Sequence, residues 1–373
     1  MLKLSKEQLK WANGIFEKIE QKYRMNAQNL TDIFPYTTDS NGLFIEQQFL
    51  KDRAGVQWWT NGFYAGLLWL LYSKTGNDIY KSTAKKQEKM LDDAFLLYDE
   101  LNHDVGFMWG LSAKPSYTFD GDIKSRSRAL LAANILAGRL NVKGRYLRAW
   151  NHGDYTIIDC MMNIPLLYWA SRETGDERFK YIAELHADST LKHHLREDGS
   201  VAHIVVHDPL KDASTGTLKG QGISVGSAWS RGQAWGIYGF ILSYIHTGEE
   251  RYLDVAKKIA DYFIEGTKAR DYRVPVDFCQ PENLSYFDNS AAVCGVCGII
   301  EIAKLINDKR YLNEALNILA ALEADCDFSK ENQSILQNCA ASFDEHRQMP
   351  LIYGDFFLTE AILKLLGNEF LIW

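Results

Sequence analysis

Proline is scarce in this sequence. Only 7 of its 373 residues are proline, about 2% where ~5% is usual. Because proline ends or kinks an α-helix, this scarcity permits a chain that is helical over most of its length. Long apolar runs are also missing, since no 18 apolar residues follow one another. We therefore expect no membrane-spanning segment.

Charge and cysteine content narrow the possible partners and compartment. The 41 Lys and Arg residues are outnumbered by 48 Asp and Glu, and the net charge of −7 disfavours nucleic acid as a partner. The first stretch, MLKLSKEQLKWANGIFEKIE, is amphipathic and charged and lacks the apolar centre of a signal peptide. Six cysteines in a chain of this length without such a signal indicate reduced thiols. We predict a cytoplasmic protein that binds neither nucleic acid nor membrane.

The sequence contains a weak repeat. In each copy an apolar helix end is followed by a turn and then by an Ala-rich amphipathic helix. Glycine suits the left-handed residue that ends a helix, and an acidic residue suits the start of the next one. The copies lie at 71–87, 168–186, 243–263 and 303–322, with a looser one at 116–136, and their turns fall at Gly76, Gly121, Gly175, Gly248 and Asn307-Asp308.

This repeat predicts stacked helical hairpins, because one hairpin cannot bury its apolar face alone. The copy at 243–263 places Tyr252, Val255, Ala256, Ile259, Ala260 and Phe263 on one helix face. Further helices near 5–24 and 354–366 bring the total to about six hairpins. We predict an all-α (α/α)6 barrel of six inner and six outer helices, with short strands in loops such as 200–209. The barrel would form one catalytic domain over residues 1–373.

Aromatic residues are abundant, with 10 Trp, 19 Tyr and 18 Phe. Core packing accounts for most of them. Three segments between helices, 58–66, 105–113 and 227–240, combine aromatic residues with glycine, and Arg, Gln or Asn stands beside Trp in two of them. Flat rings suit the apolar C–H faces of sugars, and polar neighbours suit sugar hydroxyls. These segments predict a carbohydrate cleft.

Two aspartates lie in apolar surroundings. Asp159 sits within IIDCMMN and Asp104 within LNHDVGF. Burying a carboxylate costs several kcal/mol unless the group is paired or protonated. Asp104 could be a helix cap, and Asp159 could bond to the backbone. Alternatively, burial and a second nearby acid raise a carboxyl pKa and prepare it for proton transfer.

Other motifs point to structure rather than chemistry. The single pair Cys294 and Cys297 has no second pair nearby, so it predicts a tightly packed helix and no zinc. His193 and His194 lack an HExxH arrangement, and Asp288 is placed to cap a helix. Nucleotide-binding and α/β-hydrolase motifs are absent. We expect neither a metal nor an organic cofactor.

Several segments resemble the unsaturated glucuronyl hydrolases, glycoside hydrolase family 88. The resemblance follows the chain in order over nearly its whole length, and the Trp-Ser-Arg-Gly-Gln-Ala-Trp-Gly block is its most specific part. It implies the same (α/α)6 barrel. The segments are WWTNGF (58–63), LNHDVGF (101–107), IIDCMMNIPLLYWAS (157–171), GSAWSRGQAWGIYGF (226–240), VPVDFCQPENLSYFDNSAA (274–292) and IYGDFFLTEAILKL (352–365).

The resemblance also implies a reaction and a site. Asp159 would be the acid/base and Asp104 its partner carboxylate. The substrate would be a glycosaminoglycan fragment with an unsaturated glucuronic acid at its non-reducing end. Protonation of carbon 4 and addition of water at carbon 5 would hydrate the vinyl ether and release the sugar, with Arg231 offsetting the uronate charge. The implied substrate-binding residues are Trp59, Phe63, His203, Gln221, Trp229, Arg231 and Trp235.

Three alternatives stay open at this point. An unsaturated rhamnogalacturonyl hydrolase would use the same fold and chemistry on pectin fragments. A conventional inverting glycosidase would use both acids on saturated sugars. A non-catalytic helical scaffold would bind sugar or protein without turnover. The sequence likewise leaves open the choice among chondroitin, hyaluronan and heparin fragments, their sulfation and the oligomeric state.

Overall fold

The computed structural model describes residues 3–47 and 55–373. Within these ranges the chain is mostly α-helical, and its helices are separated by loops and short 3-10 turns. In chain order the helices are α1 (Lys6–Asn29), α2 (Phe63–Thr75), α3 (Asp78–Met90), α4 (Val105–Trp109), α5 (Ala113–Asp120), α6 (Ile123–Ala137), α7 (Pro165–Thr174), α8 (Glu177–His194), α9 (Ser230–Thr247), α10 (Glu250–Lys268), α11 (Asn289–Ile306), α12 (Lys309–Leu322) and α13 (Ile352–Leu365).

The helices alternate between an inner and an outer ring. The inner positions are taken by α2, the α4–α5 pair, α7, α9, α11 and α13, and the outer ones by α1, α3, α6, α8, α10 and α12. Helix α11 packs between α9 and α13, and α13 packs on α2, so the last inner helix meets the first. The predicted barrel of six inner and six outer helices is confirmed.

Local turn chemistry explains why each inner helix stops where it does. The helices α2, α5, α7 and α9 end at glycines whose φ lies between 65° and 76°, and α11 ends at Asn307 with φ 54°. These are the turn residues that the repeat predicts. In four of the five turns the next side chain caps the following outer helix, namely Asn77, Asp122, Asp176 and Asp308. Since every such turn reverses the chain, the inner helices all run in the same direction.

Inner and outer helices differ in burial. The six apolar residues predicted to share one face of α10 are all buried, whereas α11 and α13 are buried nearly all round. By length and composition α11 could cross a membrane, but it lies inside the barrel. Helix α1 begins at Lys6, where Ser5 and Gln8 form a capping box, and reaches Asn29, five residues beyond the predicted end. Helix α13 matches its prediction to within two residues.

Short antiparallel strands lie in the loops. The pairs are β1 (Thr37–Thr38) with β2 (Phe44–Ile45), β3 (Leu140–Asn141) with β4 (Tyr146–Leu147), and β8 (Cys339–Ala340) with β9 (Arg347–Met349). The strands β5 (Tyr155–Ile157), β6 (Ile204–His207) and β7 (Ser214–Leu218) form a three-stranded sheet. In that sheet Ile157 pairs with Ile204, and the Ile158 N–H donates to the His203 carbonyl at 3.0 Å. This register sets Asp159 beside His203.

Candidate active site

The candidate site residues gather at the N-terminal ends of the inner helices. Trp59 opens a 3-10 turn that runs directly into α2, and Asp104 is the N-cap residue of α4. Trp229 and Asp288 hold the same position on α9 and α11. Because the inner helices run in one direction, their positive dipole ends meet at one mouth of the barrel. This end suits an anionic ligand.

Asp159 projects from a 3-10 turn, 158–162, that joins β5 to the approach of α7. The four other residues of the turn are at most 1% exposed, whereas the Asp159 side chain is 16% exposed. The turn lies directly on α9, where a Cβ atom at Gly239 would be 2.4 Å from the Met161 Cβ. The apolar run around Asp159 is therefore the anchor that holds this carboxyl at an accessible place.

His203 presents a hydrogen to Asp159. The backbone N–H of Gln221 donates to His203 Nδ1 at 3.1 Å, so the neutral ring carries its proton on Nε2. Nε2 lies 3.6 Å from Asp159 Oδ1, which is a distance that a small movement converts into a hydrogen bond. The structure thus brings together three residues of the prediction, and the loop residue Gln221 acts through its backbone.

Asp104 has a different neighbour, His103, which the sequence analysis did not select. Its Nε2 lies 3.2 Å from Asp104 Oδ1. The Asp104 side chain is 15% exposed. Burial raises its pKa to about 6, and nearby Asp159 also raises it, while His103 and Arg139 act in the opposite direction. This carboxyl can therefore keep a proton at mildly acidic pH.

Asn163 links the two acidic segments. Its Oδ1 accepts from the Phe107 N–H at 2.7 Å, and its Nδ2 donates to the Asp159 carbonyl at 3.2 Å. A Cβ atom at Gly106 would be 2.6 Å from the Asn163 Cα, so only glycine lets α4 approach so closely. Asn163 lies four residues after Asp159, and this spacing is the one sequence signal from which its role could have been predicted.

Arg231 is buried and already paired. Its guanidinium donates to Asp288 Oδ2 at 2.8 Å, to the Ala341 carbonyl at 2.8 Å and to the Ala340 carbonyl. It also lies 4.6 Å from the Trp229 ring and 5.1 Å from the Tyr353 ring. Asp288 caps α11, as predicted, and in addition balances this charge. Arg231 therefore stands at the site as half of an ion pair, not as a free cation facing the sugar.

The aromatic residues of the prediction form one connected layer. Phe107 lies 5.5 Å from Trp59, 5.2 Å from Phe63 and 5.4 Å from Trp235 between ring centroids. Tyr353 adds a further contact to Trp59 at 5.1 Å. Phe63 and Trp235 are fully buried, whereas Trp59 is partly exposed. Trp59 is thus the ring of this layer that a ligand can reach, and Phe63, Phe107 and Tyr353 pack against it.

Several buried polar atoms at this mouth have no hydrogen-bond partner within the described residues. They come from five predicted site residues and are Asp159 Oδ1, His203 Nε2, Trp229 Nε1, Arg231 Nε and Trp235 Nε1. Similar atoms occur elsewhere in the described residues, but these five lie on residues of the predicted site and are available to a polar ligand. No group of three or more His, Cys, Asp or Glu side chains in residues 3–47 and 55–373 is placed to hold a metal ion. Cys294 and Cys297 lie buried on α11 as free thiols, and the Cys297 thiol donates to the Phe357 carbonyl.

Two carboxyls beside an aromatic layer, at one end of a ring of helix pairs, define the active site of a carbohydrate-cleaving enzyme. No family model matches the chain. The chain is 32% identical to the unsaturated glucuronyl hydrolase of Bacillus sp. strain GL1 over 365 residues, covering 91% of this chain and 93% of that protein. It therefore belongs to the unsaturated glucuronyl hydrolases, which are glycosidases.

Solved structures agree with this assignment. The crystal structure of the unsaturated glucuronyl hydrolase from Bacillus sp. GL1, described as responsible for the degradation of glycosaminoglycan, matches with a TM-score of 0.86 at 31% identity and covers 96% of each chain. A mutant of the Streptococcus agalactiae enzyme, in complex with dGlcA-GalNAc6S, matches with a TM-score of 0.79 at 27% identity. That match covers 100% of this chain and 95% of the streptococcal one. The relatives favour the glucuronyl assignment over the pectin-fragment alternative.

Proposed function

We propose that this enzyme releases unsaturated glucuronic acid from the non-reducing end of lyase-generated glycosaminoglycan oligosaccharides by hydrating the C4=C5 double bond. The observation that carries the proposal is the pair of partly exposed carboxyls of Asp159 and Asp104 at the mouth of the barrel, where Asn163 bonds the Asp104 side chain and the Asp159 backbone carbonyl. The positive ends of the inner helices surround this mouth and suit the carboxylate of the sugar.

Asp159 delivers a proton to carbon 4 of the vinyl ether in this proposal. The ring oxygen then stabilises positive charge at carbon 5. The ionised Asp159 takes a proton from the water that adds at carbon 5, and the His203 Nε2–H stabilises its carboxylate meanwhile. The resulting hemiketal opens, and the remainder of the oligosaccharide leaves. No net proton is consumed, because Asp159 recovers from water the proton it gave to carbon.

The remaining residues hold the sugar. Asp104 accepts hydrogen bonds from sugar hydroxyls, and the exposed face of Trp59 lies against a sugar ring. The buried Phe63 packs directly against Trp59, and Trp235 supports Trp59 through Phe107. Arg231, paired with Asp288, contributes the N–H at Nε, and the Trp229 Nε1–H is also free to donate. Gln221 sets the tautomer of His203 through its backbone.

A substrate panel tests the proposal. The purified chain is incubated with unsaturated disaccharides from chondroitin, hyaluronan, heparin and pectin lyases and with saturated counterparts, and product release is followed by chromatography. We expect cleavage of unsaturated glucuronides and none of the saturated disaccharides. Cleavage of the saturated sugars would instead support a conventional inverting glycosidase, and binding without turnover would support a scaffold. Sulfated and unsulfated pairs in the same panel measure the sulfate preference.

The cellular location of the protein and its organisation as a single domain are also proposals. The six unpaired cysteines support a reducing compartment such as the cytoplasm. The continuous ring of helices supports one catalytic domain.

A further inference from the structure

The residue next to Asp104 has a buried nitrogen that the proposed reaction does not use. The His103 side chain is 2% exposed, and its Nε2 has no hydrogen-bond partner within the described residues. Asp104 Oδ1 lies 3.2 Å from this nitrogen. A buried, unpaired ring nitrogen beside a catalytic-site carboxyl calls for a partner that completes it.

The other ring nitrogen fixes the tautomer. His103 Nδ1 lies 2.8 Å from the Ala149 carbonyl oxygen, which also accepts from the His103 backbone N–H at 3.2 Å and from Arg139 at 3.1 Å. A carbonyl oxygen accepts and never donates, so the proton of a neutral ring must sit on Nδ1. Nε2 is then a hydrogen-bond acceptor. An ionised Asp104 has no hydrogen to offer it, whereas a protonated Asp104 does.

His203 shows the reverse arrangement beside Asp159. There the tautomer puts a hydrogen on the nitrogen nearest the carboxyl, which suits the carboxylate that Asp159 becomes once it has given its proton to carbon 4. The two histidines therefore have opposite hydrogen-bonding roles towards the two acids. His103 offers a lone pair to Asp104, and His203 offers a hydrogen to Asp159.

We infer that His103 is a positioning residue that accepts a hydrogen bond from a protonated Asp104, so that the pair holds one proton and faces the anionic sugar without net charge. The inference rests on the proposed substrate-binding role of Asp104. An uncharged Asp104 can still accept hydrogen bonds from sugar hydroxyls, as it does from the Asn163 side chain, and does not repel the uronate. Burial, the largest cause, raises the pKa of Asp104 to about 6, whereas the charge of a protonated His103 would lower it.

Other ionisable groups surround the His103–Asp104 pair and influence the pH at which the pair loses its proton. Asp159 and Cys160 approach from the 158–162 turn, Arg139 follows α6, and His186 lies on α8. Arg139 donates to the carbonyls of Leu101, Arg148 and Ala149. Because these carbonyls engage its guanidinium, its charge lies close to the His103–Asp104 pair but does not take the place of the proton on Asp104.

Two substitutions separate the roles of the two ring nitrogens. His103→Asn retains a donor for the Ala149 carbonyl and removes the acceptor at Nε2, whereas His103→Gln brings an amide oxygen towards Asp104. We expect His103→Asn to raise KM by about 5- to 30-fold, the effect of one lost hydrogen bond, with a smaller change in kcat. The alkaline limb of kcat/KM should move to lower pH, and His103→Gln should restore part of both effects. Equal losses in both variants at every pH would indicate a merely structural role and overturn the inference.

A spectrum of the ring nitrogens tests the same point without turnover. In 15N-labelled enzyme, His103 is assigned by the signals that His103→Asn removes. We expect Nδ1 to be protonated throughout, Nε2 to shift with pH, and this shift to vanish in Asp104→Asn. A proton found on Nε2 at neutral pH, whether or not Nδ1 also carries one, or a shift unaffected by Asp104→Asn, would overturn the inference. Failure of the substrate panel alone would count against the proposed function and leave this spectrum unchanged.

Discussion

The ring of Trp229 lies against the imidazole of His203, with 4.2 Å between their centroids. The same indole lies 4.6 Å from the Arg231 guanidinium. Trp229 thus stands between the residue that meets Asp159 and the ion pair that anchors α9 to α11. Since all three groups are nearly fully buried, the position of His203 depends on packing as much as on its hydrogen bond from Gln221.

Loss of the His203 ring should slow the reaction. Without Nε2–H, the developing carboxylate of Asp159 loses a charge-assisted hydrogen bond, worth about 1.5–3 kcal/mol. We expect His203→Ala to lower kcat/KM by roughly 10- to 100-fold. His203→Gln, which keeps an N–H group near that position, should lose less. Steady-state kinetics on an unsaturated disaccharide measure both, and equal losses would argue against the hydrogen bond.

Close packing of α9 on the Asp159 turn should make Gly239 intolerant of a side chain. A new Cβ would be 2.4 Å from that of Met161, so Gly239→Ala should lower the free energy of unfolding by about 1–3 kcal/mol and also reduce kcat. Gly14→Ala is the matched control, because Gly14 lies in α1 with no atom near its missing Cβ. That change should stabilise the protein by about 0.5–1 kcal/mol. Chemical denaturation measures both, and a neutral Gly239→Ala would contradict the observed contact.

The buried ion pair predicts a large asymmetry between two aspartates. Asp288→Ala leaves the Arg231 charge buried without its partner and should cost about 3–5 kcal/mol of unfolding free energy. Asp254 pairs with Lys257 on the exposed face of α10, at 71% and 36% side-chain exposure. Asp254→Ala should therefore cost less than about 1 kcal/mol. Similar losses in the two variants would show that the Arg231–Asp288 pair contributes little.

Much of the fold was predictable from the sequence because its signals are local. The glycines at 76, 121, 175 and 248 end inner helices by their own left-handed backbone, and the polar residue after each one starts the next helix. The barrel follows from repeating that unit.

The site was predictable only in part, because its contacts join distant segments. Asp104 and Asp159 stood out by their apolar flanks. The pairing of Arg231 with Asp288 spans 57 residues, and the link from Phe107 to Asn163 spans 56. Neither leaves a mark in the local sequence. The tautomers of His103 and His203 depend on a carbonyl and an N–H contributed by other loops.

Buried neutral histidines should make the protein sensitive to acid. His194 donates from Nδ1 to the Ala202 carbonyl at 2.8 Å, and its Nε2 lies 2.7 Å from Thr156 Oγ1. Burial lowers the pKa of His194 to about 3, and burial also lowers the pKa values of His186 and His207. The unfolded chain, with a histidine pKa of about 6.5, binds protons first as pH falls. The stability contributed by each neutral ring is therefore complete above pH ~6.5 and is lost progressively below it.

A single variant isolates this effect from the other titrating groups. His194→Asn keeps a donor for the Ala202 carbonyl and removes the ionisable ring. Between pH 6.5 and 5 the free energy of unfolding of the wild type should fall by up to about 2 kcal/mol more than that of His194→Asn. Denaturant titrations at the two pH values supply the difference. An equal fall in both proteins would mean that His194 does not titrate on unfolding.

The most direct measurement compares the wild type with Asp159→Asn on an unsaturated glucuronyl disaccharide, following release of the second sugar. Asp159→Asn should fold normally by circular dichroism and lose about 10²- to 10⁴-fold in kcat, because the amide cannot pass a proton to carbon 4 or take one from water. A near-normal kcat in Asp159→Asn, or a wild-type enzyme that leaves the unsaturated sugar intact, would contradict the account.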